Sequence, residues 1–589
     1  MSSLGIGRTR VVINFLMVLA PAFFLWIVLS PLTTVDGVEF KRSERDETHS
    51  SHNFNHEVAN RDLPNIVMIV LDDLGSHDLG LHGTGIHTPN IDGFVTGPTA
   101  DGIYLDEYYV LPYCSPTRAA LMSGMYPLRT GVHNVIVPIS TAGLPLNIET
   151  LPEMLKRAKV KTNASSNHTD AMKSDYKSIE FQTYQTHAVG KWHIGHSSWE
   201  QTPTFRGFDS FFGFYQGGQD YFTHILPEGG VDLHYDRSPR CGNGCSEVVN
   251  ERGNYSTNVF TREAIKVVKN HSKHFGRESN SKAPLFLYLA YQAVHCPNEV
   301  PPEYMTRYQN RTDWTDQRIN YAGMLTAADE GIGNLTKVLQ ETGLWENTLI
   351  VVTTDNGGPT TVGCTQGSSN YPKRGGKCSL WEGGTTGDAL LAGPALKKLL
   401  SRSTKSGKAN LPRRFRHLFH VVDWFPTLAE WVGVVPLNQT VLDGISQVES
   451  LSGGKEPART ELFGGYAFWR DSEYPNENHW WWGPSIRHRN WKLVQGTSGG
   501  PDALDPMPNG TRNIIPPGTS EDYLLFDLDK DPREENDLSK VYPEILETMI
   551  YKLKLYQKSF VNPQVNDDSL CPFPGLVNTS IVGPAWQVL

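Results

Sequence analysis

Residues Ile66 to Leu71 form an unbroken apolar run, β-branched at four of its six positions, that stops at Asp72-Asp73. A half-exposed strand alternates apolar and polar residues, whereas a strand apolar throughout has both faces covered, as in a parallel sheet flanked by helices. Three later segments repeat the design. Thr186-His187-Ala188-Val189-Gly190 leads to Lys191 and His193, Leu285–Ala290 leads to His295, and Leu349–Thr354 leads to Asp355-Asn356-Gly357-Gly358. Helical spacing of apolar residues lies between them, over about Asn258–Asn270 and Asn320–Thr342. Alternating strands and helices predict an α/β fold with a large doubly wound mixed sheet. Ligands of such sheets collect beyond the carboxyl ends of the strands. That rule gathers Asp72, Asp73, Lys191, His193, His295, Asp355 and Asn356 at one rim.

The texture changes after about Glu456. Leu462–Arg470, Ser485–Gln495 and Tyr523–Leu528 read as strands separated by Pro- and Gly-rich loops, and Pro543–Phe560 as an amphipathic helix. A smaller C-terminal α+β domain is expected. At the other end, Arg8 and Arg10 precede an apolar run of 20 residues, Val11–Ser30. This reads as a secretory signal or a signal anchor, and both stay open. The expected organisation is 1–37 signal or anchor, 38–62 polar linker, 63–455 catalytic α/β domain, 456–561 smaller antiparallel-sheet domain and 562–589 tail.

A net charge of −10 argues against nucleic acid as a partner and leaves any anionic substrate dependent on a local cationic cluster. The chain has seven Cys. Setting Cys114 aside leaves an even remainder, as suits a disulfide-bonded secretory protein. Six Cys allow 15 connectivities, among which the Cys241-Gly-Asn-Gly-Cys245 loop is one expected bridge and Cys364–Cys378 a second. Nine Asn-x-Ser/Thr sequons fit a glycoprotein.

The most specific chemistry lies in Cys114-Ser115-Pro116-Thr117-Arg118. Pro116 suits a first helical turn. Cys114 would then stand at a helix N-terminus, where free N–H groups favour an anion, with the Arg118 fork one turn on. Asp72, Asp73, Asp355 and Asn356 offer only oxygen donors, which suit Ca²⁺ or Mg²⁺. Each pair alone would more often cap a helix or turn a loop. Lys191 and His193, two apart in an extended segment, face the same way.

Cys-x-Pro-x-Arg together with Gly190-Lys191-Trp192-His193-Ile194-Gly195 resembles the two signatures of the type I sulfatases, nearest the arylsulfatase B-like branch. The likeness runs from about Pro64 to about Ser539. It implies the alkaline phosphatase/sulfatase-like fold and hydrolysis of sulfate esters, with sulfated saccharides such as hexosamine sulfates as substrates. It implies that Cys114 is converted to formylglycine by a formylglycine-generating enzyme of the secretory pathway. It further implies one divalent cation, Ca²⁺, held by Asp72, Asp73, Asp355, Asn356 and the modified Cys114. Lys191 would bind sulfate and hydrate oxygens, and His193 would deprotonate the hydrate. His295 and Lys377 would serve the departing ester oxygen, and Arg118 would stabilise charge. The location implied is extracellular or the lysosomal or vacuolar lumen, with a membrane involved only through an N-terminal anchor.

Two other readings compete. One is a phosphomonoesterase or phosphodiesterase of the same superfamily, which would ordinarily carry Ser or Thr in place of Cys114. The other is a catalytically silent extracellular glycan-binding protein, for which the loss of Cys114, Lys191, His193 or Lys377 would have spoken. One stretch departs from the family pattern. Leu155-Lys156-Arg157-Ala158 and Tyr184-Gln185-Thr186 are separated by polar residues with no apolar period, and 160–183 is expected to stand outside the packed domain. Lys159-Val160-Lys161 and Phe181-Gln182 can be encoded by donor-like and acceptor-like splice ends. A retained intron and a solvated insertion loop both stay open.

Overall fold

The computed structural model describes residues 63–561 apart from 98–99, 163–179, 228, 276–282, 361–366, 405–411, 438, 455, 471–479 and 497–522. A ten-stranded mixed sheet dominates it. In spatial order the strands are Arg414–His420, Ile103–Tyr109, Ala389–Ala392, Thr348–Thr354, Asn65–Leu71, Leu285–Ala290, Gln185–Lys191, Ser210–Phe214, His234–Asp236 and Ser246–Val248. Asn65–Leu71 is central and pairs in parallel with Thr348–Thr354 on one side and Leu285–Ala290 on the other. Gln185–Lys191 continues the parallel set beyond Leu285–Ala290. Ala389–Ala392 and the two last strands run antiparallel to their neighbours, which makes the sheet mixed.

The continuous apolar runs have the reason inferred from sequence. Ile66, Met68 and Val70 enter one hydrophobic core, while Val67, Ile69 and Leu71 enter a second on the opposite face. Phe286, Tyr288 and Ala290 divide from Leu285, Leu287 and Leu289 in the same way. The long helices Ser256–Phe275 and Asp316–Glu341 cover one face through Val259, Phe260, Ala264, Met324 and Leu325. Cys114–Ser123, Pro394–Arg402 and Trp424–Val432 cover the other. Each fully buried Leu, Ile or Val contributes about 1.5–3 kcal/mol of transfer free energy, so the central strands are held rigidly under the rim.

A second, four-stranded antiparallel sheet contains Glu461–Arg470, Trp480–His488, Trp491–Gln495 and Tyr523–Asp527 in order. Its Phe463, Ile486, Leu493 and Leu525, with Met549 and Leu553 of the helix Pro543–Gln557, join the core under the first face of the large sheet. The expected single strand Ser485–Gln495 is in fact a hairpin. Arg489, at φ 55°, and Asn490 form a turn with neither Gly nor Pro to mark it.

Cys241 and Cys245 form the expected disulfide, with Cα atoms 5.4 Å apart. The expected Cys364–Cys378 bridge is not made. Cys378 keeps a thiol and Cys296 is disulfide-bonded instead. Sequence spacing does not place two Cα atoms within disulfide reach. Cys378 is positioned by its loop, where its N–H donates to Pro112 O at 2.9 Å. The ends of the 160–183 stretch pair with each other, Val160–Thr162 against Glu180–Gln182, while its interior lies outside the described residues. The signal or anchor, the linker and the tail also lie outside them. Among the described residues no helix is long and apolar enough to cross a membrane.

Candidate active site

Four adjacent parallel strands end at one rim, and their last residues carry the polar groups. Asp72 and Asp73 follow Asn65–Leu71, Asp355 and Asn356 follow Thr348–Thr354, Lys191 ends Gln185–Lys191, and His295 lies five residues beyond Leu285–Ala290. The helix Cys114–Ser123 starts there too, from the extended residue Tyr113. Thr117 Oγ accepts the Leu111 N–H at 3.1 Å and so pins the strand-to-helix turn that presents Cys114. Lys377 arrives on a loop before the short helix Glu382–Thr385.

All these side chains converge. Arg118 donates from Nε to Asp355 Oδ2 at 2.9 Å and reaches Asp72 Oδ2 with Nη2 at 3.5 Å. Lys191 Nζ donates to Asp72 Oδ2 at 2.5 Å, and Lys377 Nζ lies 2.7 Å from Asp73 Oδ1. Asn356 Nδ2 donates to Asp73 Oδ1 at 2.7 Å, and Asp73 N–H to Asp355 Oδ1 at 3.2 Å. His295 Nε2 lies 3.7 Å from Asp73 Oδ2. Ligand atoms of Asp72, Asp73 and His295 fall within 4.8 Å of one another, close enough to hold one metal ion. Asp72, Asp73, Arg118, Lys191, His193, Asp355 and Asn356 are all 0–1% exposed. Asp73 and His193, both at φ 62°, take the left-handed conformation that non-glycine residues avoid, a strain held by the surrounding packing.

Burial governs the electrostatics, and the ion pairs correct it. Burial works to raise Asp72, but Lys191, His295 and Arg118 overcome it and hold that carboxylate below its ordinary range. Asp73 is lowered as well, with burial opposed by Lys377 and His295. Asp355, facing both burial and Asp72, is raised. Burial lifts the Cys114 thiol, although Lys191 and Lys377 pull the other way. Burial, then Lys191 and Arg118, push His193 well below the ordinary histidine range. The His193 tautomer is set by geometry. Nε2 lies 3.0 Å from Ile136 O and must donate there, which leaves the buried Nδ1 as the proton acceptor. His295 makes the opposite choice, its Nδ1 donating to Cys296 O at 2.8 Å.

Sequence reading missed a contributor to this site. Tyr215–Gln219 runs past both imidazoles. A Cβ at Gly217 would meet His193 Cε1 at 2.8 Å, and one at Gly218 would meet His295 Nδ1 at 3.1 Å. The Gly-Gly doublet beginning three residues beyond Ser210–Phe214 was the available signal, since glycine in such a place marks a close approach. Tyr288, whose hydroxyl lies 3.5 Å from Arg118 Nη1, sits inside an apolar strand and gave no signal.

A parallel-strand rim that crowds cations and acidic oxygens around a helix-terminal Cys defines a hydrolase of anionic esters. The family model for sulfatases matches residues 64–183 and 179–434, and the chain belongs to the sulfatase family as a sulfuric ester hydrolase. It is 32% identical to arylsulfatase J of Mus musculus over 86% of this chain and 77% of that protein. It is 26% identical to N-acetylgalactosamine-6-sulfatase of Canis lupus familiaris over 85% of this chain and 88% of that protein. Among solved structures, Ps i-CgsB in complex with k-i-k-neocarrahexaose superposes with a TM-score of 0.64 at 27% identity, covering 88% of this chain and 99% of that one.

Proposed function

We propose that the enzyme removes sulfate from saccharides, with residue 114 matured to formylglycine and one divalent cation, Ca²⁺, held by Asp72, Asp73, Asp355, Asn356 and residue 114. The observation that carries this reading is the convergence of Arg118, Lys191 and Lys377 with these acidic oxygens around a buried helix-terminal Cys. The donor set suits a hard cation. Asp72 Oδ1 and Asn356 Oδ1 are buried acceptors with no hydrogen-bond donor, as oxygens reserved for a cation would be. The N-acetylgalactosamine-6-sulfatase relative and the neocarrahexaose complex favour sulfated saccharides as substrates. The Cys241–Cys245 disulfide favours maturation in an oxidising lumen, where a formylglycine-generating enzyme would act.

Formylglycine hydrate supplies an oxygen nucleophile and a second hydroxyl for sulfate release, which Cys and Ser lack, and a bound divalent cation supplies positive charge against the sulfate oxygens. The chain's own groups do the rest. Arg118 and Lys191 orient the sulfate and stabilise its non-bridging oxygens. Lys377, kept cationic by Asp73 and Asp72 despite burial, donates toward the leaving oxygen. His295 lines that side, and His193 takes a proton at Nδ1. We also propose the boundaries 63–455 and 456–561 for the catalytic and C-terminal domains, and an inserted segment at 160–183, at whose end, 179–183, the two family matches overlap.

The test joins mass and activity. Intact secreted protein is digested and the peptide carrying residue 114 is weighed, and Cys114→Ala is assayed beside it on a sugar sulfate. The expected result is a formylglycine mass in the wild type and loss of activity in a folded variant. An unmodified Cys in an active preparation, or turnover by Cys114→Ala, would refute the reading.

A further inference from the structure

The loop carrying Lys377 is built on the C-terminal sheet. Arg374, three residues before Lys377, donates to Glu534 O at 2.7 Å and lays its guanidinium over the Trp381 ring at 3.7 Å. Glu382, five residues after Lys377, donates its backbone N–H to Glu534 Oε2 at 2.7 Å. Lys492, on the strand Trp491–Gln495, bridges the carboxylates, 3.0 Å from Glu382 Oε1 and 2.7 Å from Glu534 Oε1. Tyr109 closes the other side by donating to Glu382 Oε2 at 2.5 Å. Lys492, Glu382 and Glu534 are at most 5% exposed. Such a cluster is a poor source of net stability, because desolvation offsets most of the attraction, but it tolerates only one geometry.

Three groups of the active site hang on this loop. Lys377 N–H donates to Gly358 O at 3.2 Å, Cys378 N–H to Pro112 O beside Cys114, and Gly357 N–H, next to Asn356, to Gly384 O at 3.1 Å. Leu380 packs on Val494, and Trp381 on Phe526 of the small sheet and on Leu528 just beyond it. Among the described residues, none from that sheet makes a hydrogen bond or ion pair with the Lys377 or His295 side chain, whose partners are Asp73 and Cys296 O. The contacts of Glu534 and of the sheet end instead on residues flanking Lys377: the Arg374 guanidinium, the Glu382 N–H and carboxylate, and the Leu380 and Trp381 side chains.

We propose that Lys492 and Glu534 are positioning residues for Lys377, so that the C-terminal sheet sets the geometry of leaving-group assistance. This rests on the role proposed above for Lys377. The glutamate clamps both flanks of the loop, the lysine holds the glutamate, and Lys377 is thereby kept over the leaving oxygen.

The test is a double-mutant cycle on the full-length, matured enzyme. Lys492→Met, Glu534→Gln, Lys377→Ala and the doubles with Lys377→Ala are assayed on a nitrophenyl sulfate and on a poorer leaving group, a hexosamine sulfate. A misplacement of this kind predicts that Lys492→Met loses on the order of tenfold in kcat on the sugar sulfate, with little change in KM and a smaller loss on the nitrophenyl ester. Combined with Lys377→Ala it should cost almost nothing more, because the group it positions is already gone. Full additivity of the two substitutions, or an equal loss of the single variant on both esters, would overturn the proposal. If Lys492→Met does not fold, Glu534→Gln decides, since its amide oxygen can still accept from Glu382 N–H. Should Lys377→Ala itself show no leaving-group dependence, the assignment of Lys377 fails. Additivity on either ester still decides whether the cluster acts through it.

Discussion

At the scale of single residues, the site depends on groups that leave room as much as on groups that react. Gly217 faces the His193 ring closely enough that a methyl group must displace it. The imidazole is fixed by one bond, to Ile136 O, and by a strained backbone. A shift of a few tenths of an ångström therefore moves Nδ1 off its line. Gly217→Ala is expected to lower kcat by at least about tenfold while leaving the unfolding midpoint within about 2 °C. Steady-state kinetics and a thermal melt check this, and wild-type turnover would contradict it. Asp355 supports a second prediction. Its carboxylate takes Arg118 and the Asp73 N–H, and it is proposed as a cation ligand. Asp355→Ala should purify without the roughly stoichiometric Ca²⁺ expected of the wild type, as measured by elemental analysis. Equal Ca²⁺ in both would remove Asp355 from the ligand set.

At the scale of elements, the buried strands were legible because apolar side chains on both faces leave an unbroken run, and the polar residues at their ends stand out against it. The rim at Asp72 and Asp355 followed from that contrast, whereas the strand before Lys191 opens on Gln185, Thr186 and His187 and shows it only at its end. Elements whose pattern is mixed were not legible. Ile103–Tyr109 carries Asp106 and Glu107 mid-strand, and the hairpin turn at Arg489-Asn490 has no Gly or Pro to announce it. The anchoring of the Lys377 loop by Lys492 and Glu534 was beyond reach, since more than a hundred residues separate Glu382 from each of them and no local period connects them. The 160–183 stretch gives a prediction at this scale. Thr162 and Glu180 are directly paired, the place where a two-residue turn closes a hairpin. Replacing 163–179 by Asn-Gly is expected to keep kcat/KM within about twofold, since a polar stretch without an apolar period supplies little to a core. Aggregation of that protein would show that the segment belongs to the core. Transcripts that splice these codons out would instead favour the retained intron.

At the scale of the whole molecule, buried neutral histidines couple stability to acidity. His271 of the helix Ser256–Phe275 is buried, and burial, then repulsion from His187, push it down to about 4. His187 and His133 are pushed down to about 4 as well, in each case mainly by burial. In the unfolded chain these imidazoles titrate at their ordinary value near 6.5. The folded state therefore binds fewer protons than the unfolded state throughout the interval between. Stability is fully present above pH 6.5 and is lost as the pH falls toward 4. For His271 alone the loss reaches up to about 2 kcal/mol at pH 5. Carboxylates titrate in the same range, so the measurement must be a difference. His271→Gln removes the proton uptake and lowers stability at pH 7 through altered packing against Phe275, whose ring centroid lies 5.1 Å away. Urea unfolding of both proteins at pH 7 and pH 5 should show the wild type's advantage shrinking by up to about 2 kcal/mol on acidification. An advantage that stays constant or grows would mean that His271 takes up its proton in the folded protein, and that burial does not hold it neutral.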